Sequence, residues 1–207
     1  MTQIMTPSKT TTAGQIDKAV ANYRALLEKH SGDFNTDAVQ TILGQSELVG
    51  EQFAVFRRRV EAVSNLIVRR VPVNRRRSQQ EALVATNRKQ YTNRKVVDAM
   101  PKGEGDEAEI VFFKPDLSER SGHISDDDLE KEFERHGLKP ADPISVAAVN
   151  EADPAFADEK PHSTHWKDTE NNWCFATFSR WFDGREVSVN RNDSDWSDDW
   201  WFAGVLK

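Results

Sequence analysis

The sequence predicts an α+β protein: an N-terminal helical module, then a small αβ domain that ends in an antiparallel Trp-rich sheet. Three observations carry this expectation. Apolar side chains recur at helical spacing through residues 49–67, a strand-like apolar run occupies residues 108–114, and all six tryptophans lie between positions 166 and 201. The last stretch contains two strand-like runs that meet at Asp183-Gly184, a dipeptide suited to the positive φ angles of a two-residue hairpin turn.

Taken in order, residues 1–13 are polar and Thr-rich and read as a disordered tail. A helix follows from about Gln15 to His30, with Ile16, Val20, Tyr23 and Leu27 on one face and a stop at Ser31-Gly32. A shorter helix starts at Asn35 or Thr36 and uses Val39, Ile42 and Leu43. Val49, Phe53, Phe56, Val60, Val63 and Ile67 then step by four and three residues in alternation, the pattern of a packed helical seam. This helix is expected to run from about Ser46 to Val71, ending before Pro72, with the seam as core. Ser78 and Glu81 form a capping-box pattern for a further short helix, and another covers Arg94 to Met100. The helical module therefore spans 14–101, and Gly and charge in residues 102–106 mark a linker.

The C-terminal domain is placed at 107–207. Ala108 to Lys114 reads as a strand covered on both faces. Ser125 caps a helix whose first turn holds Asp126, Asp127 and Asp128. Gly137 stops that helix, and Asp142-Pro143 starts another. Residues 150–165 read as loop. In the hairpin, a turn at Asp183-Gly184 pairs Phe182 with Arg185 and Phe178 with Val189. Cys174, Ala176, Phe178, Val187 and Val189 then share the core face.

The segment from FERHGLKPADPISVAAVNE (133–151) to WWFAGV (200–205) resembles a group of bacterial proteins from candidate-phylum genomes. These share a G-L-[KR]-P-A helix start and a final Trp-rich β unit. The resemblance covers about half the chain and brings no activity with it. A looser similarity is to C-type-lectin-like domains, whose calcium sites include a Trp-Asn-Asp triplet near the chain end. The corresponding triplet here is Trp196-Ser197-Asp198, without the Asn.

Composition narrows function by exclusion. No run approaches the roughly 20 apolar residues of a bilayer helix, and the N-terminus lacks the pattern of a secretory signal. The single cysteine precludes an internal disulfide and fits a reducing, cytoplasmic setting. With 37% hydrophobic and 30% charged residues, part of the chain is expected to be solvated. Charge is strongly segregated: residues 57–103 hold 13 basic and 3 acidic side chains, residues 104–207 hold 11 and 25. That asymmetry points to a polyanion partner or to self-association.

The favoured reading is a non-enzymatic recognition protein without a cofactor. Its C-terminal domain would bind a protein or carbohydrate ligand through Trp181, Trp196, Trp200, Arg180 and Asn190. The helical module would serve oligomerisation or attachment, with the 49–67 helix as the surface for a homo-oligomer. The alternative is a nucleic-acid-associated protein. It would use Arg57, Arg58, Arg69, Arg70, Arg75, Arg76, Arg77 and Arg88 on phosphates, with Tyr91 stacking on a base. Asp193, Asp195 and Asp198 supply oxygen ligands of the kind calcium takes, without the glycine and distal Glu of an EF-hand loop. His162 and His165 lack further ligands at zinc-like spacing, and a Cys174–His165 nucleophile and base is disfavoured because Cys174 falls on the apolar face of its strand.

Overall fold

The computed structural model describes residues 11–117, 120–182 and 184–207. The chain divides between Ser64 and Asn65 into two units, each considered by itself. The first holds three helices, α1 (Ala13–Lys29), α2 (Thr36–Leu43) and α3 (Glu47–Ala62), with a 3-10 turn at Ser31–Asp33. Thr12 closes a capping box with Gln15, so α1 begins at Ala13; most of the expected tail lies outside the described residues. Asn35 caps α2 by accepting from the Ala38 amide.

The expected 46–71 helix is corrected: α3 ends at Ala62, and Leu66–Pro72 is a strand, β1. Its β-branched residues Ile67, Val68 and Val71 suit a pleat, and Ile67, Arg69 and Val71 alternate inward. The helical period runs on to Ile67 only because Ile67 is apolar for a different neighbour. The seam is not core either, since Val49, Phe53, Phe56, Val60 and Val63 are all exposed.

The second unit begins with β1 and continues through α4 (Gln79–Ala85), β2 (Lys89–Thr92), α5 (Arg94–Asp98) and β3 (Glu107–Phe113). There follow β4 (His123–Ile124), α6 (Asp126–Arg135), β5 (Leu138–Pro140), α7 (Pro143–Ala152) and α8 (Phe156–Glu159). The chain finishes with β6 (His162–Lys167), β7 (Trp173–Trp181), β8 (Gly184–Arg191), β9 (Trp196–Ser197) and β10 (Trp201–Leu206). One mixed sheet runs β1-β3-β10-β6-β7-β8-β2, with β5 beside β10, and β4 and β9 pair separately. β10 lies parallel to β6, β2 parallel to β8, and the other pairs are antiparallel.

The domain boundary at 102–106 is therefore displaced to Ser64/Asn65. β1 pairs with β3 from Leu66↔Phe113 to Pro72↔Glu107, which builds the start of the basic segment into the sheet. Residues 102–105 form a loop held by one side chain: Arg75 donates to the carbonyls of Lys102, Glu104 and Gly105. Gly103 there has φ +65°, and a Cβ would overlap the Asp142 carboxylate, so glycine is needed for close approach.

Core material lies on both faces of the sheet. Ile110 and Phe112 point to one face, with Leu83 of α4, Val97 of α5, Val149 of α7, and Phe178 and Val187 of the hairpin. Val111 and Phe113 point to the other, with Leu129 and Phe133 of α6, Trp196 and Phe202. The apolar run of β3 thus has the double cover that its lack of alternation predicts.

The hairpin register differs from expectation. Trp181 pairs with Gly184 and Phe178 with Val187, so Phe182 and Asp183 connect the strands; Asp183 itself lies outside the described residues. A shift of two in the pairing preserves the pleat, so Cys174, Ala176, Phe178, Val187 and Val189 still share one buried face. The expected loop at 150–165 is also corrected. α7 continues to Ala152, α8 follows, and His162, Ser163, Thr164 and His165 form a fully buried strand.

Candidate functional site: an acidic cleft beside His165

β10 pairs with β6 only through Trp201 and Phe202, then with β5 from Gly204 to Leu206. A cleft of about 1070 Å³ is lined by residues of β3, β5, β6 and β10, with α6 and the α7 N-terminus at its margins. Its wall carries the carboxylates of Glu104, Glu107, Glu109, Asp127, Glu130 and Asp142 against the cations Arg75, Lys139 and Lys167. Trp166 and Trp173 supply the aromatic surface.

At one end sits His165, whose side chain is fully buried. Nδ1 is 2.7 Å from Asp126 Oδ1, and Nε2 is 2.8 Å from Glu130 Oε1. The Glu130 contact lies outside hydrogen-bond alignment, so Glu130 acts on the ring mainly as a charge. The ring stacks on Trp173 at 4.6 Å and on Phe133 at 5.4 Å. Burial works against a charged imidazole, but the two carboxylates outweigh it and raise the pKa. Burial also opposes ionised Asp126, yet bonds from His165, Trp196 Nε1 at 2.9 Å and Asn192 at 2.6 Å hold its carboxyl below the usual range. The arrangement is an imidazole held between two carboxylates that favour its protonated form.

The α6 N-terminus builds this end. Ser125 accepts from the Asp128 amide, which fixes the first turn and places Asp126 inward and Asp127 outward. Asp127 accepts from Trp173 Nε1 at 3.2 Å. At the other end, Asp142 caps α7 and accepts from Arg75 at 2.6 Å, while Arg75 also reaches Ser145 Oγ at 2.7 Å. The indole N–H of Trp166 is buried and lacks a hydrogen-bond partner among the described residues.

The residues singled out from sequence do not converge on this cleft. Trp196 is buried against Asp126, and Trp200 packs edge-on to it at 5.7 Å. Trp181 is exposed at the hairpin end, and Arg180 contacts Asp158 at 3.3 Å. Asn190 donates to the Tyr91 carbonyl. Asp193, Asp195 and Asp198 are exposed, and among the described residues no group of three or more His, Cys, Asp or Glu side chains converges on a metal position. Cys174 pairs with Trp166 and His165 with Phe175, so pleat alternation puts the thiol and His165 on opposite faces of the sheet. They cannot act as nucleophile and base. Burial also pushes the Cys174 thiol up.

Several arginines of the second unit are engaged within it. Arg69 lies over the Phe156 ring at 4.3 Å, with Asp153 at 4.0 Å. Arg70 meets Glu109 at 2.6 Å, Arg75 meets Asp142, and Arg77 holds Glu151 through two bonds. Arg88 is buried and donates to the carbonyls of Ser179 and Pro154. Arg57, Arg58, Arg76 and Tyr91 are exposed.

Sequence reasoning missed Trp166, Trp173, His165 and Glu130 as a group. The Asp126-Asp127-Asp128 run was visible, but its division into one buried and one cleft-facing carboxylate depends on the tertiary position of α6. No family model matches the chain, and comparison with curated proteins and with solved structures likewise gives no match. No helix among the described residues is long and apolar enough to cross a membrane.

Proposed function

We propose that the chain is a non-enzymatic recognition protein of the cytoplasm. Its C-terminal unit binds a positively charged segment of a protein partner in the acidic cleft, and its helical unit serves oligomerisation or attachment. One observation carries the reading: a cleft large enough for a few side chains has six carboxylates against Arg75, Lys139, Lys167 and the His165 imidazole, with two tryptophans in its wall. Carboxylates with aromatic rings suit guanidinium and ammonium groups, which gain both charge pairing and cation–π contact. A neutral sugar fits less well, because the Trp173 ring is already engaged by His165 and by Lys167 at 4.5 Å. Nucleic acid is disfavoured by the same carboxylates and by the engagement of Arg69, Arg75, Arg77 and Arg88 within the unit.

Titration of the full chain with short Lys/Arg-rich peptides, Asp/Glu-rich peptides and neutral oligosaccharides, followed by tryptophan fluorescence, tests this. Basic peptides should bind, more weakly as salt rises, and Glu104→Lys with Glu107→Lys should abolish binding without unfolding the chain. Equal affinity for acidic peptides, or binding of the sugar alone, would overturn the proposal.

A further inference from the structure

The helical unit presents apolar stripes that remain exposed, with Gln52 of α3 donating to the Tyr23 hydroxyl of α1. No residue of α1, α2 or α3 is buried, although α3 carries Val49, Phe53, Phe56 and Val60 along one face. A 16-residue helix has little stability alone in water, and most helical stability in proteins comes from packing such a face. Taking the helical unit as an assembly device, we infer that α3 is covered by α3 of a second copy, packed antiparallel.

Two features select this occupant. The stripe steps by four, three and four residues, a spacing that reads the same in both directions. An antiparallel copy therefore sets Val49 against Val60 and Phe53 against Phe56, burying the whole stripe on itself. The charges set the direction. Glu47 and Glu51 occupy the first half of α3, and Arg57, Arg58 and Arg59 with Glu61 the second, so the halves carry −2 and +2. A parallel pair would bring two arginine triplets side by side, whereas an antiparallel pair lays each triplet along the partner's acidic half. The helix dipoles favour the same direction. Glu47, Glu51 and Arg58 lie on the outer side of the stripe and Arg57 and Arg59 flank it, so these charges bias orientation at long range and add little strength. α1 has its own stripe, Ile16, Val20, Tyr23 and Leu27, but its acids and bases alternate: Asp17 is followed by Lys18, and Glu28 by Lys29. Its charges favour neither direction.

The interface is one helix long, about 24 Å at 1.5 Å per residue, so the dimer should dissociate on dilution. Sedimentation velocity of the full chain across a concentration series should show monomer passing to dimer. Phe53→Glu with Phe56→Glu should leave monomer throughout while thermal unfolding of the C-terminal unit stays unchanged. Orientation is read by oxidation: a Val49→Cys chain mixed with a Val60→Cys chain should give the mixed disulfide in excess over either self-linked product. The native Cys174 is buried and stays silent. Self-linked Val49→Cys in excess would overturn the orientation while leaving assembly through α3 intact. A dimer that survives the Phe53/Phe56 substitutions would remove α3 as the interface. Monomer at every concentration would remove self-association altogether, with α1 as the cover for α3 then open to test.

Discussion

Lowering the pH from 7 to 5 should destabilise the second unit through His162 alone by about 2 kcal/mol. This side chain has no exposed surface and sits among Phe112 at 4.8 Å, Phe156 at 5.2 Å and Phe178 at 5.5 Å. Its Nδ1–H donates to the Lys160 carbonyl at 2.8 Å, which leaves Nε2 to accept from Asn150 Nδ2 at 2.8 Å. Both nitrogens are thus used as only a neutral ring can use them. Burial pushes the pKa down to about 3, the Lys160 carbonyl partly opposes this, and the charges of Arg88 and Arg69 add to it. In the unfolded chain the imidazole titrates near about 6.5. Between these values the unfolded state binds the extra proton and the native state does not, so stability falls as pH falls. At pH 5 the difference is about 1.4 log units, or about 2 kcal/mol, rising to about 4 kcal/mol at pH 3. His165 works in the opposite sense. Its raised pKa gives stability that is fully present below about 6.5 and is lost as pH rises through the folded value. To isolate His162, urea unfolding of the native chain and of His162→Gln should be compared at both pH values. Other groups cancel in the difference, and the variant should lose about 2 kcal/mol less on acidification. Identical pH dependence in the two chains, or a His162 ring signal in the folded state that titrates near pH 6, would refute the reasoning.

Two further outcomes follow from the fold. Arg88→Ala removes donors from the Ser179 and Pro154 carbonyls and should destabilise by about 2–5 kcal/mol in thermal or urea unfolding, because buried acceptors are left unpaired. Limited proteolysis should release a stable fragment beginning near Asn65, and a fragment beginning near residue 107 should be degraded, because it lacks β1 and the helices α4 and α5 that cover one sheet face.

Fold class was legible because it rests on local chemistry. The Thr12, Ser78, Ser125 and Asp142 caps each accept the backbone donor their position predicts. The core face of the hairpin survived a wrong register because pleat alternation depends only on parity. Two things were not legible. His162-Ser163-Thr164-His165 is as polar as a loop, but each member is buried with a partner: Asn150 for His162, the Ala176 carbonyl for Ser163, the Ala141 carbonyl for Thr164 and Asp126 for His165. A buried polar strand depends on acceptors far away in sequence, which composition cannot reveal. The helix-to-strand change at residues 62–66 was hidden because Val63 and Ile67 continue the period of α3 while serving different surroundings.

The segregation of charge along the chain has its explanation in this topology. A basic segment beside an acidic one invites the idea of a polyanion partner, yet the unit from Asn65 onward carries 21 basic and 27 acidic side chains, while the first 64 residues balance at seven of each. The arginines of β1 and the turn after it meet carboxylates of β3 and α7, as in Arg70–Glu109, Arg75–Asp142 and Arg77–Glu151. Exposed pairs of this kind contribute about 0–1 kcal/mol each, so they add little to stability. Arg75 differs: by binding three loop carbonyls, Asp142 and Ser145 together, it fixes the 102–105 loop against the start of α7. The basic segment is thus largely spent in joining residues 65–101 to the sheet, and carboxylates such as Glu104 and Glu107 remain around the cleft. With Arg69, Arg75, Arg77 and Arg88 engaged inside the unit, the carboxylates around the cleft are the feature on which the proposed cationic ligand rests. Under the proposed function, a basic polypeptide is the ligand class that this lining favours over the nucleic-acid alternative.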